Sequence, residues 1–214
     1  MIHWLTPPHT HILPKIVFVV DIQIKLIEPN IFFYFFYVEE LCEVSKCSTT
    51  EGCPLKKNNL LKTLPTLNKE FFISFEFKAT AWQTGWQSVI HFTQGGNCCG
   101  VGQRIPALFV FYDKLSPIFA VNGRGNYYKT TKKKYPLNQW IKVQFSQTLE
   151  NGKYIYRVLI DGKREIEVKN QAKAFSNVRV YAADYWNKSV KGSIRNLEVN
   201  ADSSKPRGGK FFLK

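Results

Sequence analysis

The chain has 214 residues, 44% hydrophobic and 15% aromatic, enough for a substantial core and too apolar for wholesale disorder. Lys and Arg number 30 against 16 Asp and Glu, a formal charge of +14 that suits an anionic partner. No zinc-finger spacing or RNP-like aromatic segment accompanies that charge, so no nucleic-acid partner is expected. No apolar run of about eighteen residues is free of charge, which excludes a clean membrane-spanning helix.

Residues 1–60 differ in texture from the rest. Pro7-Pro8 and three of the four histidines lie there, with apolar runs at Ile16–Val20 and Ile31–Val38 separated by Asp21, Lys25 and Glu28. The run Phe32–Val38 has the length of a secretory apolar region, but it is bulky and lacks a small-residue exit. The segment is read as an N-terminal extension outside the core: a cryptic signal or anchor, or an ill-defined start.

From Leu60 onward alternation sets in. Phe71, Ile73, Phe75, Phe77 and Ala79 alternate with polar or outward residues, the mark of a strand with one buried face. Further strands are expected at Val89–Thr93, Ala107–Tyr112, Ile118–Val121, Trp140–Ser146, Tyr154–Ile160, Glu165–Val168, Val178–Ala182 and Ser193–Val199. Asp161-Gly162 reads as a type I′ hairpin turn, because both residues tolerate positive φ. Gly123–Asn126 is read as a turn, and Lys132-Lys133-Lys134 as a solvated loop. Lys205–Lys210 reads as a mobile basic tail. The organisation expected is therefore an extension at 1–60, an all-β antiparallel sandwich at 61–201 and a flexible tail at 202–214.

The order of segments 71–79, 86–93, 137–147, 154–168, 175–186 and 192–199 resembles the concanavalin A-like jelly roll shared by laminin-G modules, pentraxins and many lectins. The strand led by Trp140 and the Val158–Gly162 hairpin carry most of that resemblance. The loop Gly95-Gly96-Asn97-Cys98-Cys99-Gly100 is similar to that of secreted invertebrate domains of this fold. The fold hosts sugar binders, protein binders and glycosidases, so function must come from the site.

Glycosidases of this fold use strand-borne carboxylate pairs, and retaining chemistry needs the two roughly 5–5.5 Å apart. Here the close pair is Glu165 and Glu167, between Arg164 and Lys169, and it reads as a neutralised strand face. His91 reads as a hydrogen-bonded structural residue rather than a base. A non-enzyme is expected. Calcium needs several oxygen ligands, but Asp113, Asp161 and Asp184 are scattered; Asp184 is the best single candidate, and one carboxylate is not a site. No cofactor or metal is expected.

Adjacent Cα atoms stand about 3.8 Å apart across a trans peptide, below the roughly 4.4–6.8 Å usual for a disulfide, so a Cys98–Cys99 ring needs the freedom of its flanking glycines. Such a ring would offer a flat apolar plate. The alternatives are cross-links to Cys42, Cys47 or Cys53, or free thiols. Asn187-Lys188-Ser189 is a glycosylation sequon, and with the cysteines it points to an extracellular protein.

Aromatic rings beside amides and Arg are the makings of a sugar site. The expected ligand-binding set is Trp82, Trp86, the Cys98-Cys99 plate and Tyr127 for stacking, and Asn97, Arg104, Asn122, Arg124 and Asp184, with Trp186, for polar contact and enclosure. These residues lie on loops, where a rigid sandwich displays recognition. The expectation is a carbohydrate-binding module, with acidic glycans suggested by the charge. A laminin-G-like matrix-interaction domain and a glycosidase relic are the alternatives.

Overall fold

The computed structural model describes residues 52–202 and 210–213. Among these no helix occurs, and so none long and apolar enough to cross a membrane. The strands are β1 (Cys53–Pro54), β2 (Leu60–Leu67), β3 (Phe71–Ala81), β4 (Trp86–Thr93), β5 (Ala107–Phe111), β6 (Lys114–Val121) and β7 (Arg124–Tyr128). They continue as β8 (Trp140–Glu150), β9 (Lys153–Ile160), β10 (Lys163–Asn170), β11 (Phe175–Tyr181), β12 (Lys188–Ser189), β13 (Lys191–Asn200) and β14 (Lys210–Leu213).

Two largely antiparallel sheets pack face to face as a jelly-roll sandwich. The first runs β1-β13-β3-β8-β9-β10, with β14 also on β13; the second runs β2-β11-β4-β5-β6-β7, with β12 parallel to β4. Period-2 alternation decides which side chains meet between them. Phe71, Ile73, Phe75, Phe77 and Ala79 of β3 and Ile141, Val143 and Phe145 of β8 are all buried in one cluster. Phe119 of the second sheet stacks on Tyr156 of the first, with centroids 4.3 Å apart and planes 13° from parallel.

Turn chemistry fixes the registers. Asp161 and Gly162 take φ of 50° and 76° between β9 and β10, the positive pair that a type I′ turn requires. Asn122 and Gly123, at 50° and 78°, do the same between β6 and β7. The expected turn at Gly123–Asn126 is therefore corrected: the reversal is complete by Gly123, and Arg124 onward is free to pair as β7.

All nine expected strands form. The additional ones are short or at edges. Edge strand β2, with Pro65 and mostly exposed side chains, lacks the alternation that marks a half-buried strand. The boundary at 61 also shifts: Cys53 and Leu55, assigned by sequence to the extension, are buried in the core, and β1 pairs with β13. Lys210–Leu213, read as part of a flexible tail, pairs antiparallel with β13. Residues 1–51, with Cys42 and Cys47, lie outside the described residues.

The Tyr156 hydroxyl is buried without a hydrogen-bond partner among the described residues, and burial pushes its pKa well above the ordinary phenol range. Leaving a polar atom unpaired costs about 1–3 kcal/mol, and removing it relieves that cost while the ring keeps its stack. Tyr156→Phe should therefore match or exceed the parent chain in stability, by up to about 1 kcal/mol in a denaturant titration; a clear loss would show that the hydroxyl has a partner.

Candidate functional site

Strand β5 is apolar on both faces. Leu108 and Val110 point into the main core, whereas Ala107 and Phe109 form a separate buried cluster with Ile118 of β6. Cross-strand pairs carry this outer face across the second sheet. Trp86, Phe111 and Lys114 lie in one row, Ser88, Phe109 and Ser116 in the next, and His91, Ala107, Ile118 and Tyr128 in a third.

Two loops cover one end of that face. The loop from Gln94 to Pro106 stays tied to β4, Gln94 N donating to Gly102 O and Phe92 N to Pro106 O. The segment 184–187 closes from the other side, with Trp186 over His91 at 5.5 Å. A buried pair pins both. His91 Nδ1 lies 2.8 Å from Asp184 Oδ2 and Nε2 lies 2.5 Å from the Gln103 carbonyl oxygen, with both side chains inaccessible to solvent. An oxygen thus faces each ring nitrogen of His91. Asp184 also accepts from the backbone N–H groups of Trp186 and Asn187 at 3.0 and 2.8 Å. Burial pushes the Asp184 pKa up, but the bonds from His91 and Asn187 outweigh it and hold the carboxyl below its usual value of 3.8.

Where the cover stops, a hollow of about 340 Å³ opens. Phe109 and Ile118 form its floor, and Trp86 and Tyr128 stand at one side with ring centroids 6.4 Å apart. Asn97, Arg104, Asn126 and Asn187 supply the polar side, and Cys98 sits at the rim. Arg104 is clamped: Nε donates to Asn97 O at 2.8 Å, Nη1 to Asn126 Oδ1 at 2.7 Å and Nη2 to Asn97 Oδ1 at 3.2 Å. Its guanidinium carbon lies 4.7 Å from the Phe109 ring. Desolvation lowers its pKa, and the field of Asp184 opposes that. Three of the five guanidinium N–H groups are thus engaged, leaving two for a ligand. Cys98 and Cys99 are bonded to each other, Cα atoms 3.1 Å apart across a cis peptide bond, and both are exposed. With Cys98 and Cys99 bonded to each other, neither links to Cys53.

Of the residues expected from sequence, the structure gathers Trp86, Asn97, Cys98 and Arg104 in this hollow. Trp82 lies elsewhere: its ring packs on the core and Nε1 donates to Tyr135 O at 3.3 Å. Asn122, Arg124 and Tyr127 line a different hollow, between the β6–β7 turn and β10. Asn122 there staples the two sheets, its backbone N–H donating to Asn170 Oδ1 at 2.7 Å. Asp184 is an internal anchor, closed to any ligand. Cys99 shapes the loop, and Trp186 roofs His91; neither lines the hollow. Sequence reasoning missed Phe109, Ile118, Asn126 and Tyr128, and read Asn187 only as a sequon. The signal available was the strand Ala107–Phe111, apolar at successive positions where a one-sided strand alternates. Asn187 Nδ2, the atom a glycan would modify, lies 3.2 Å from Asn97 Oδ1 and from both Asp184 oxygens. The same side chain lines the hollow.

The charged motifs resolve as surface features. Glu167 bonds Arg157 at 2.7 Å and Arg164 at 2.6 Å, and Lys163 pairs with Glu165 at 3.4 Å. Lys134 pairs with Asp113 at 3.0 Å. Among the described residues no cluster of three or more His, Cys, Asp or Glu side chains could hold a metal ion.

No protein-family model and no curated protein matches the chain. Among solved structures it is similar to a heptameric SAP-like pentraxin from Limulus polyphemus, at 16% identity, 73% of each chain and a TM-score of 0.46. It is also similar to the sialidase CBM40 of Ruminococcus gnavus bound to α2,3-sialyllactose, at 13% identity, 62% of this chain, 76% of that one and a TM-score of 0.40. An endo-β-1,4-glucuronan lyase from Trichoderma reesei is similar at 16% identity, over 55% of this chain and 57% of that one, with a TM-score of 0.42.

Two outcomes test the architecture of the site. A Cβ on Gly125 of β7 would lie 2.2 Å from the Gly100 backbone and 2.3 Å from the Cys99 carbonyl oxygen. Gly125→Ala should lift the cysteine loop off β7, giving rapid amide exchange across 97–104 while the sandwich stays protected. The Asp184 pKa is depressed by folding, so its contribution is complete above the unfolded value and is lost as pH falls through the folded value. Asp184→Asn should cost about 3–5 kcal/mol at neutral pH. The gap between parent and variant in urea unfolding should narrow below about pH 4.

Proposed function

We propose that the chain is a non-catalytic, extracellular carbohydrate-binding module that prefers acidic glycans. The observation that carries the reading is the composition of the hollow on the second sheet. Trp86 and Tyr128 offer ring surface to the C–H face of a sugar. Asn97, Asn126 and Asn187 offer amides, and two free N–H groups of Arg104 offer a fork for a carboxylate or sulfate. Among the described residues no carboxylate side chain lines the hollow. That absence disfavours general acid–base chemistry on a glycoside and favours an anionic guest. The exposed Cys98-Cys99 pair adds a rigid plate at the rim, and disulfides fit an oxidising compartment. The reading takes Asn187 as unmodified, because its amide belongs to the site.

The test is an array of neutral, carboxylated and sulfated glycans probed with the full chain, with reducing-sugar release measured in parallel. Binding to acidic glycans without cleavage is the expected outcome. Silence on every glycan would transfer the reading to a protein or matrix partner, and release of sugar would overturn the non-catalytic assignment. Trp86→Ala, at a position 41% exposed, should weaken retention on the bound glycan at least about tenfold while leaving the unfolding transition in place.

A further inference from the structure

We infer that the ligand is an extended acidic oligosaccharide, seated by one anionic group at Arg104 and running along the outer face of the second sheet to a second anionic group at Lys114. The inference rests on the glycan reading above and concerns the length and direction of the ligand. The outer face is closed at one end and open at the other. At the closed end His91 lies under Trp186 and is bonded to the Gln103 carbonyl, so a chain cannot continue past the hollow in that direction.

At the open end aromatic surface continues beyond what the hollow uses. Trp86 lies 4.8 Å from Phe111, and Phe111 lies 4.7 Å from Tyr112 at the β5–β6 turn. Phe111 and Tyr112 are 37% and 51% exposed, so the aromatic run stays open to solvent to the end of the sheet. Lys114 pairs with Phe111 across β5 and β6, in the same row as Trp86, and points to the same face. It takes part in no ion pair among the described residues, unlike Lys134, which holds Asp113. A cation at each end of an aromatic track matches a chain with repeated negative charges and repeated C–H faces. A single terminal sugar would leave Phe111, Tyr112 and Lys114 without a role.

The experiment titrates the full chain with size-fractionated hyaluronan, polygalacturonate and heparin, from disaccharide to decasaccharide. For at least one series the affinity should rise about tenfold from disaccharide to hexasaccharide and then level off. Lys114→Gln should weaken the hexasaccharide about fivefold and remove most of that gain with length. Equal affinity at all lengths, or an unchanged gain in Lys114→Gln, would overturn the extended track and leave the hollow as the site. Failure of all three series to bind would overturn the acidic-glycan reading and this inference with it.

Discussion

A sheet that is apolar on both faces must be covered twice, and this constraint organises the molecule. The inner face of the second sheet is covered by the first, through contacts such as Phe119 on Tyr156. The outer face, carrying Ala107, Phe109 and Ile118, has no third layer among the described residues. Two loops supply part of the cover, and the His91–Asp184 pair holds them down from beneath. The site lies where this cover ends, with polar loop edges meeting uncovered rings.

Burying the His91–Asp184 pair carries a desolvation cost that only full hydrogen bonding offsets. Asp184 meets this condition through His91 and the backbone of residues 186 and 187, and His91 through Asp184 and the Gln103 carbonyl. The same bonds position the neighbours that face the hollow. Gln103 adjoins Arg104, and Asn187 reaches from Asp184 to Asn97. Arg104 is in turn fixed by Asn97 and Asn126. The polar side is thus pre-organised by groups that a ligand would not touch, which lowers the ordering cost of binding.

Gly125 marks a close approach between scaffold and loop, where β7 passes against the backbone of Cys99 and Gly100. A side chain there would have no room. The β7 alternation then separates its residues: Asn126 and Tyr128 face the hollow, whereas Tyr127 turns towards the core. A single strand therefore divides the sequence Asn126-Tyr127-Tyr128 between two environments.

The sequence by itself determined the two-layer fold, because period-2 alternation and Asp-Gly chemistry are local and each acts within a few residues. It also singled out Trp86, Asn97, Cys98 and Arg104, whose residue types in a glycine-rich setting are unusual wherever they fall. It left edge strands such as β2 unread, since an edge strand lacks the half-buried alternation that signals a central one. Only the tertiary structure decided that Trp82, Asn122, Arg124 and Tyr127 lie away from the hollow, that Asp184 is an internal anchor, and that Phe109, Ile118, Asn126, Tyr128 and Asn187 join the site. The reason is physical: which strands become neighbours, and which loop folds over which face, depends on long-range pairing and on burial of the second apolar face, neither of which is written in any local window of residues.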